Sequence, residues 1–206
     1  MATIIQSPPN VKFPASGGSR RLKQLGPETP STGIWVGISA ITMTFAAFTS
    51  SMVVRHGSAP DWRHFSIPSI LYLNSLILIA SSVTLQIARR RLIAINNEFA
   101  DSAPVLRALY GTLFLGCLFV CGQYAAWSQL RSEGIYLATN PSSSFFYLFT
   151  VLHALHVIGG LLGLVYVISK LHRHVLAKRT LDAASQYWHF MDALWLYLLV
   201  LLLVRI

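Results

Sequence analysis

The chain has 206 residues, of which 54% are apolar and only 11% charged, and its formal net charge is +9. A mean hydropathy of +0.55 excludes an ordinary soluble domain. The basic excess alone would allow a nucleic-acid partner, but where the charges lie excludes that reading.

Residues 1–32 hold five prolines, scattered Ser and Gly, and the basic patch RRLK at 20–23. Such a composition buries too little apolar surface to fold alone and predicts a mobile cytoplasmic lead. No cleavable signal peptide is expected, because the first apolar run begins near Ile34 and lacks a small-residue cleavage site. Five apolar windows follow, at about 33–54, 67–88, 105–130, 144–169 and 186–204. Each is close to the ~20 residues that cross the hydrocarbon core as a helix. Runs such as LILIA and LWLYLLVLLLV do not alternate as the strands of a barrel must. The prediction is an all-α, polytopic membrane bundle of five transmembrane helices spanning 33–206, with connections too short to form a catalytic domain outside the bilayer.

The connections alternate in charge. Lys12, Arg20, Arg21 and Lys23 precede the first window, Arg89, Arg90, Arg91 and Arg107 surround the second connection, and Lys170, Arg173, Lys178 and Arg179 lie in the fourth. The opposite side carries only Arg55, Arg63, Arg131 and Arg205. By the positive-inside rule the N-terminus is cytoplasmic and the C-terminus outside. The positive charge is therefore a topology signal, and no nucleic-acid partner is implied.

Polar residues inside the windows are candidate functional groups because hydrocarbon makes them costly. The second window holds Asn74, Ser75, Ser81, Ser82, Thr84 and Gln86, a pattern for close helix packing with Asn74 as a cross-helix hydrogen bonder. Cys117 and Cys121, at i, i+4 in the third, are expected to be small buried packing residues. No haem-attachment or zinc-type cysteine pattern occurs. Asn140-Pro141 marks a turn before the fourth window, which Ser142 to Ser144 are placed to cap.

In the fourth window His153, His156, Gly160, Gly163 and Val167 recur at 3, 4, 3, 4 spacing, so they share one helical face. Gly159 and Gly163 also form a G-x-x-x-G. Glycines admit a close neighbouring helix, so this face is expected to pack inward with the imidazoles bonded to Asp192, a backbone carbonyl or a lipid headgroup. The fifth window carries Asp192, its one acid, with His189 a turn earlier. Trp188, Asp192, Trp195 and Leu199 form a second stripe that should face protein. Two histidines at i, i+3 suggest packing, metal or haem ligation, or a proton relay. A haem needs depth-matched histidines on two spans, and the others available are His189 near the inner end and His56 and His64 in the first connection. A relay needs several acids. The pattern favours packing.

Three segments in order, LYLNSLILIASSVTLQIARR (71–90), FFYLFTVLHALHVIGG (145–160) and YWHFMDALWLYL (187–198), resemble subunit III of the haem-copper terminal oxidases in a short, five-span bacterial form. His153 and His156 match the family's H-x-x-H. Trp188, His189, Phe190, Asp192 and Trp195 match its W-H-F-x-D-x-x-W. The resemblance implies a chain with no cofactor of its own, haem and copper lying in partner subunits. It implies contact chiefly with oxidase subunit I, bound phospholipid, support of proton uptake, and a bacterial cytoplasmic (inner) membrane location. Other oxidase subunits, and a donor complex in a supercomplex, are further implied partners. Family members often read Q-x-x-E-Y where this chain reads QYAAW (123–127), with Ala126 in place of the glutamate, so any role of that carboxylate is absent. The rival readings are a haem-binding quinol oxidoreductase or cytochrome b-like anchor, and a subunit III-like partner of nitric oxide reductase. The motifs G-x-S-x-G and H-E-x-x-H are both missing from the sequence.

Overall fold

The computed structural model describes residues 29–58, 62, 68–94, 103–173, 176 and 178–205. The expected lead lies outside the described residues up to position 28, as do His64 and Arg63. The described elements are α1 (Thr29–Ser58), α2 (Ile70–Ala94), α3 (Ala103–Ser132), α4 (Pro141–His172) and α5 (Lys178–Arg205). All five contain stretches long and apolar enough to cross a membrane, so the fold among the described residues is all-α and multi-pass as its hydropathy predicts.

The ends differ from the expected windows, since hydropathy marks the hydrocarbon-crossing part of a helix and not its polar extensions. α5 shows the largest difference. It begins eight residues before the window, at Lys178, and so carries Asp182 as well as Asp192.

Local chemistry sets the tight hairpin between α3 and α4. Gly134 takes φ 78°, a left-handed conformation that suits glycine at a helix C-terminus. Beyond it the Ile135 amide donates back to the Leu130 carbonyl at 3.0 Å. α4 starts with Asn140 as N-cap and Pro141 in its first turn. There the Ser143 hydroxyl accepts from the Asn140 amide at 3.2 Å, the reciprocal half of a capping box.

Helices α2, α3, α4 and α5 close a ring in that order, each touching its two neighbours, and α1 lies outside the ring against α5 and α4. In lipid the apolar effect gives helices no reason to prefer one another, so close packing and interhelical hydrogen bonds must hold the ring. Gly116 on α3 admits Leu161 and the Trp188 ring; a Cβ there would lie 2.7 Å from the leucine and 2.9 Å from the indole. Gly122 faces the Asn74 carboxamide of α2 so closely that a Cβ would collide with it. α1 is fastened by buried Phe45 and Met52 and by the Tyr197 hydroxyl, which donates to Thr49 at 3.0 Å.

Candidate functional site

The polar residues of α2 and α5 meet in register. Trp195 Nε1 donates to the Ser75 hydroxyl at 2.9 Å, and one heptad earlier Trp188 Nε1 donates to Ser81 at 3.0 Å. Each serine in turn donates to its own helix, Ser75 to the Leu71 carbonyl at 2.9 Å and Ser81 to that of Leu78 at 2.6 Å. The small hydroxyls thus lock two large indoles across an antiparallel helix pair, and every polar atom in the lock is satisfied. Beside this lock His189 Nδ1 pairs with the Ser82 hydroxyl at 2.7 Å, and its Nε2 lies 3.4 Å from Gln86 Oε1. At the same end of the pair Arg89 Nε donates to Asp182 at 2.6 Å, with both side chains more than a third exposed.

Trp188, Asp192, Trp195 and Leu199 are all buried, so the fifth-helix stripe faces protein. Asn74 is also buried and bridges helices as expected, its carboxamide donating to the Phe119 carbonyl at 3.5 Å.

The fourth-helix stripe divides. His153, Gly160 and Val167 are buried, His156 is half-buried, and Gly163 is exposed. A stripe at 3, 4, 3, 4 spacing is wide, and only the heptad His153, Gly160 and Val167 points into the ring, the heptad of His156 and Gly163 lying at its edge. Gly160 makes the close approach, with Tyr187 and Trp188 ring carbons 3.1 and 3.2 Å from where a Cβ would sit. The expected G-x-x-x-G contact does not form within this chain: Gly163 has nothing near its Cβ position, and at Gly159 only the Tyr187 hydroxyl comes within 3.9 Å.

The histidines also part company. His156 Nδ1 lies 2.7 Å from the Leu152 carbonyl of its own helix, and its own carbonyl accepts from the Tyr187 hydroxyl at 3.0 Å. Of the acceptors expected, a backbone carbonyl is the one used, and Asp192 is not. His153 is fully buried with neither nitrogen bonded. It is held instead by rings, 5.0 Å from Trp195 and 5.9 Å from Phe119 between centroids, and those two rings meet edge to face at 5.1 Å. The expectation of two hydrogen-bonded imidazoles therefore holds for His156 alone.

Across from His153 on α3 lies a residue that the sequence reading passed over. Trp127 Nε1 donates to Thr150 at 3.0 Å and Gly116 abuts Leu161, an antiparallel register that sets Gln123 beside His153. Gln123 is fully buried and both its amide atoms lack partners. Its signal was available: Gly116, Phe119, Gln123 and Ala126 recur at 3, 4, 3 spacing. That same face turns Cys117 and Cys121 outward, and both are exposed, contrary to the expectation of buried packing residues. Asp182 was missed because the fifth window began at 186, although Asp182, Ser185, His189 and Asp192 repeat at 3, 4, 3.

Among the described residues no group of three or more His, Cys, Asp or Glu gathers where a metal could bind. His56 stacks edge-on against Trp62 at 4.9 Å, on the opposite end of the bundle from His172, whose Nδ1 approaches the Ile168 carbonyl at 3.1 Å. Trp188, Trp195 and Asn74 join helices at the centre of the ring, while His153 and Gln123 are held there by packing alone.

The family model described as cytochrome c oxidase subunit III matches residues 36–204. The chain belongs to the cytochrome c oxidase subunit III family. Curated relatives agree. The probable cytochrome c oxidase subunit 3 of Nocardia farcinica is 31% identical over 198 residues, covering 90% of this chain and 93% of the relative. The subunit 3 of Corynebacterium diphtheriae is 32% identical over 184 residues, or 84% of this chain and 87% of that one. Similarity reaches the subunit 3 of Rattus norvegicus, 30% identical over 164 residues and covering 60% of it. The match to the subunit III family covers α2, α4 and α5, whose three segments carried the resemblance and supply the paired indoles, the two histidines and Asp192.

Proposed function

We propose that this chain is the non-catalytic subunit III of a proton-pumping haem-copper oxygen reductase in an aerobic respiratory chain. Family membership makes it a multi-pass membrane subunit of a haem-copper oxidase, seated with other oxidase subunits. The observation that carries the reading is the match across 36–204, which includes every helix of the ring. A ring whose helices are joined by bonds such as Trp188 to Ser81 and Trp195 to Ser75 supports a structural role: the chain presents a stable helical face to the catalytic subunit I.

Two lateral grooves support bound phospholipid. One, of about 690 Å³, is lined by Tyr147, Leu148, Val151 and Leu155 with Arg131 at its end. The other, of about 400 Å³, lies over Gly159, Gly160 and Gly163 between α4, α5 and Ile34 of α1. Acyl chains suit these apolar walls, and Arg131 suits a phosphate. The glycines that pack no helix within the chain would then serve as the floor of a lipid groove. Support of proton uptake in the catalytic subunit, the bacterial inner membrane and a cytoplasmic N-terminus complete the proposal. The charge alternation is the ground for the last of these. The electron donor, whether cytochrome c, quinol or a bound donor complex, is chosen by other chains.

Purification through a tag on this chain in mild detergent tests the reading. Co-purifying subunits with a haem-copper spectrum are expected. Recovery of the chain alone, or a Soret band on the isolated chain that disappears in His153→Ala or His156→Ala, would favour a haem-binding anchor instead.

A further inference from the structure

The outward edge between α2 and α5 differs from the outward faces of α3 and α4. α3 turns Phe114, Leu118 and Tyr124 outward, and α4 turns Leu155 and Leu162, surfaces that acyl chains solvate well. The α2–α5 edge instead carries Ser82, Gln86 and Arg89 on one helix and Asp182 and His189 on the other, all half-buried. Gln86 and Ser82 lie one and two turns inward of Arg89, so at about 1.5 Å rise per residue the polar edge reaches roughly 10 Å toward the hydrocarbon core. These groups are only partly paired. The long 3.4 Å contact leaves His189 Nε2 weakly held, and Gln86 has no bond from its amide nitrogen among the described residues. Behind them Asp192 is buried with Oδ1 unpartnered. Against acyl chains this edge would leave polar groups unsatisfied at real cost, whereas a protein neighbour satisfies them.

We infer that the α2–α5 edge is the face on which this subunit docks to the oxidase, its occupant a transmembrane helix of the haem-bearing subunit that presents hydrogen-bond acceptors beside Gln86 and His189. The inference rests on the proposed function and adds to it which face is used. Charge complementarity selects the occupant's chemistry. Arg89 and Asp182 neutralise each other at the membrane surface, so deeper in, the partner meets the donors of a carboxamide and an imidazole and requires hydroxyl, carboxamide or carbonyl oxygens.

The experiment is photocrosslinking in membranes that contain the whole complex. A photoreactive residue replaces Ile79 or Ala193, exposed positions that flank the edge, or Phe114 or Leu155 on the apolar faces. Crosslinks to the haem-bearing subunit are expected from the first pair and lipid adducts from the second. As a second readout, Gln86→Leu together with His189→Phe is expected to weaken retention of haem on the tagged chain about tenfold, the scale of one or two lost interfacial hydrogen bonds. Crosslinks to that subunit from Phe114 or Leu155 alone, or only lipid adducts from Ile79 and Ala193, overturn the docking face while leaving the proposed function intact. If no haem-bearing subunit co-purifies with the unsubstituted chain, the proposed function fails and the docking face with it.

Discussion

At the scale of single residues, His153 and Trp195 show that burial and hydrogen bonding are separate questions. His153 is expected to tolerate Phe, which keeps a ring between Phe119 and Trp195 and gives up no hydrogen bond; a cost within about 1.5 kcal/mol is the range for volume-conserving swaps. His153→Ala, which empties the space, should cost about 2–4 kcal/mol. Thermal unfolding of the purified chain in detergent measures both, and a Phe variant as damaged as the Ala variant would show that the imidazole nitrogens matter after all. Trp195 differs because it uses both its ring and its nitrogen. Trp195→Phe loses the bond to Ser75, about 0.5–1.5 kcal/mol, while Trp195→Ala loses the whole ring, about 3–5 kcal/mol.

The glycines separate the helix contacts that matter from those that only look suitable. Gly116→Ala and Gly122→Ala put a methyl group into Leu161, Trp188 or the Asn74 carboxamide, so each is expected to lower the unfolding temperature by forcing α3 away from a neighbour, at about 1–3 kcal/mol. Gly163→Ala meets nothing within the chain and should leave the isolated chain unchanged. The same substitution should reduce co-purifying phospholipid, measured by mass spectrometry, if the groove over α4 holds acyl chains. Sequence pattern separated these cases only in part. It identified the fourth helix as glycine-rich on one side, but Gly160 and Gly163 differ by less than one turn. Which of them meets Tyr187 depends on the angle at which α4 crosses α5. The Arg89–Asp182 pair joins α2 and α5 at their surface end. Because both side chains are more than a third exposed, a double-mutant cycle should return a coupling of no more than about 1 kcal/mol.

For the molecule as a whole, a ring of four helices with a fifth outside it follows from which helices carry matching polar residues. α2 holds the serines that α5 needs for its indoles, while α1 offers Thr49 and an apolar edge. Orientation in the bilayer is a property of the whole chain and can be tested directly. With Cys117 and Cys121 replaced by Ser, a single Thr139→Cys should react with an impermeant maleimide added to intact spheroplasts. Arg173→Cys should react only after permeabilisation; the reverse pattern would invert the proposed topology.

Sequence by itself determined the five crossings, their order, the alternation of charge and the family. These depend on composition over about 20 residues, or on local motifs such as W-H-F-x-D-x-x-W, and neither needs a partner helix to be read. It also anticipated Asn74 and the Trp188–Trp195 stripe, where large or amide side chains in a span leave few alternatives to burial. Only the tertiary structure decided that His153 is unbonded while His156 bonds its own helix, that Gln123 joins the core, and that Cys117 and Cys121 do not. It also decided that Asp182 meets Arg89. The physical reason is common to all of them. A helical wheel fixes which residues share a face to within about 100°, whereas a hydrogen bond requires its partner at about 3 Å, and that position is set by the crossing of two helices far apart in sequence.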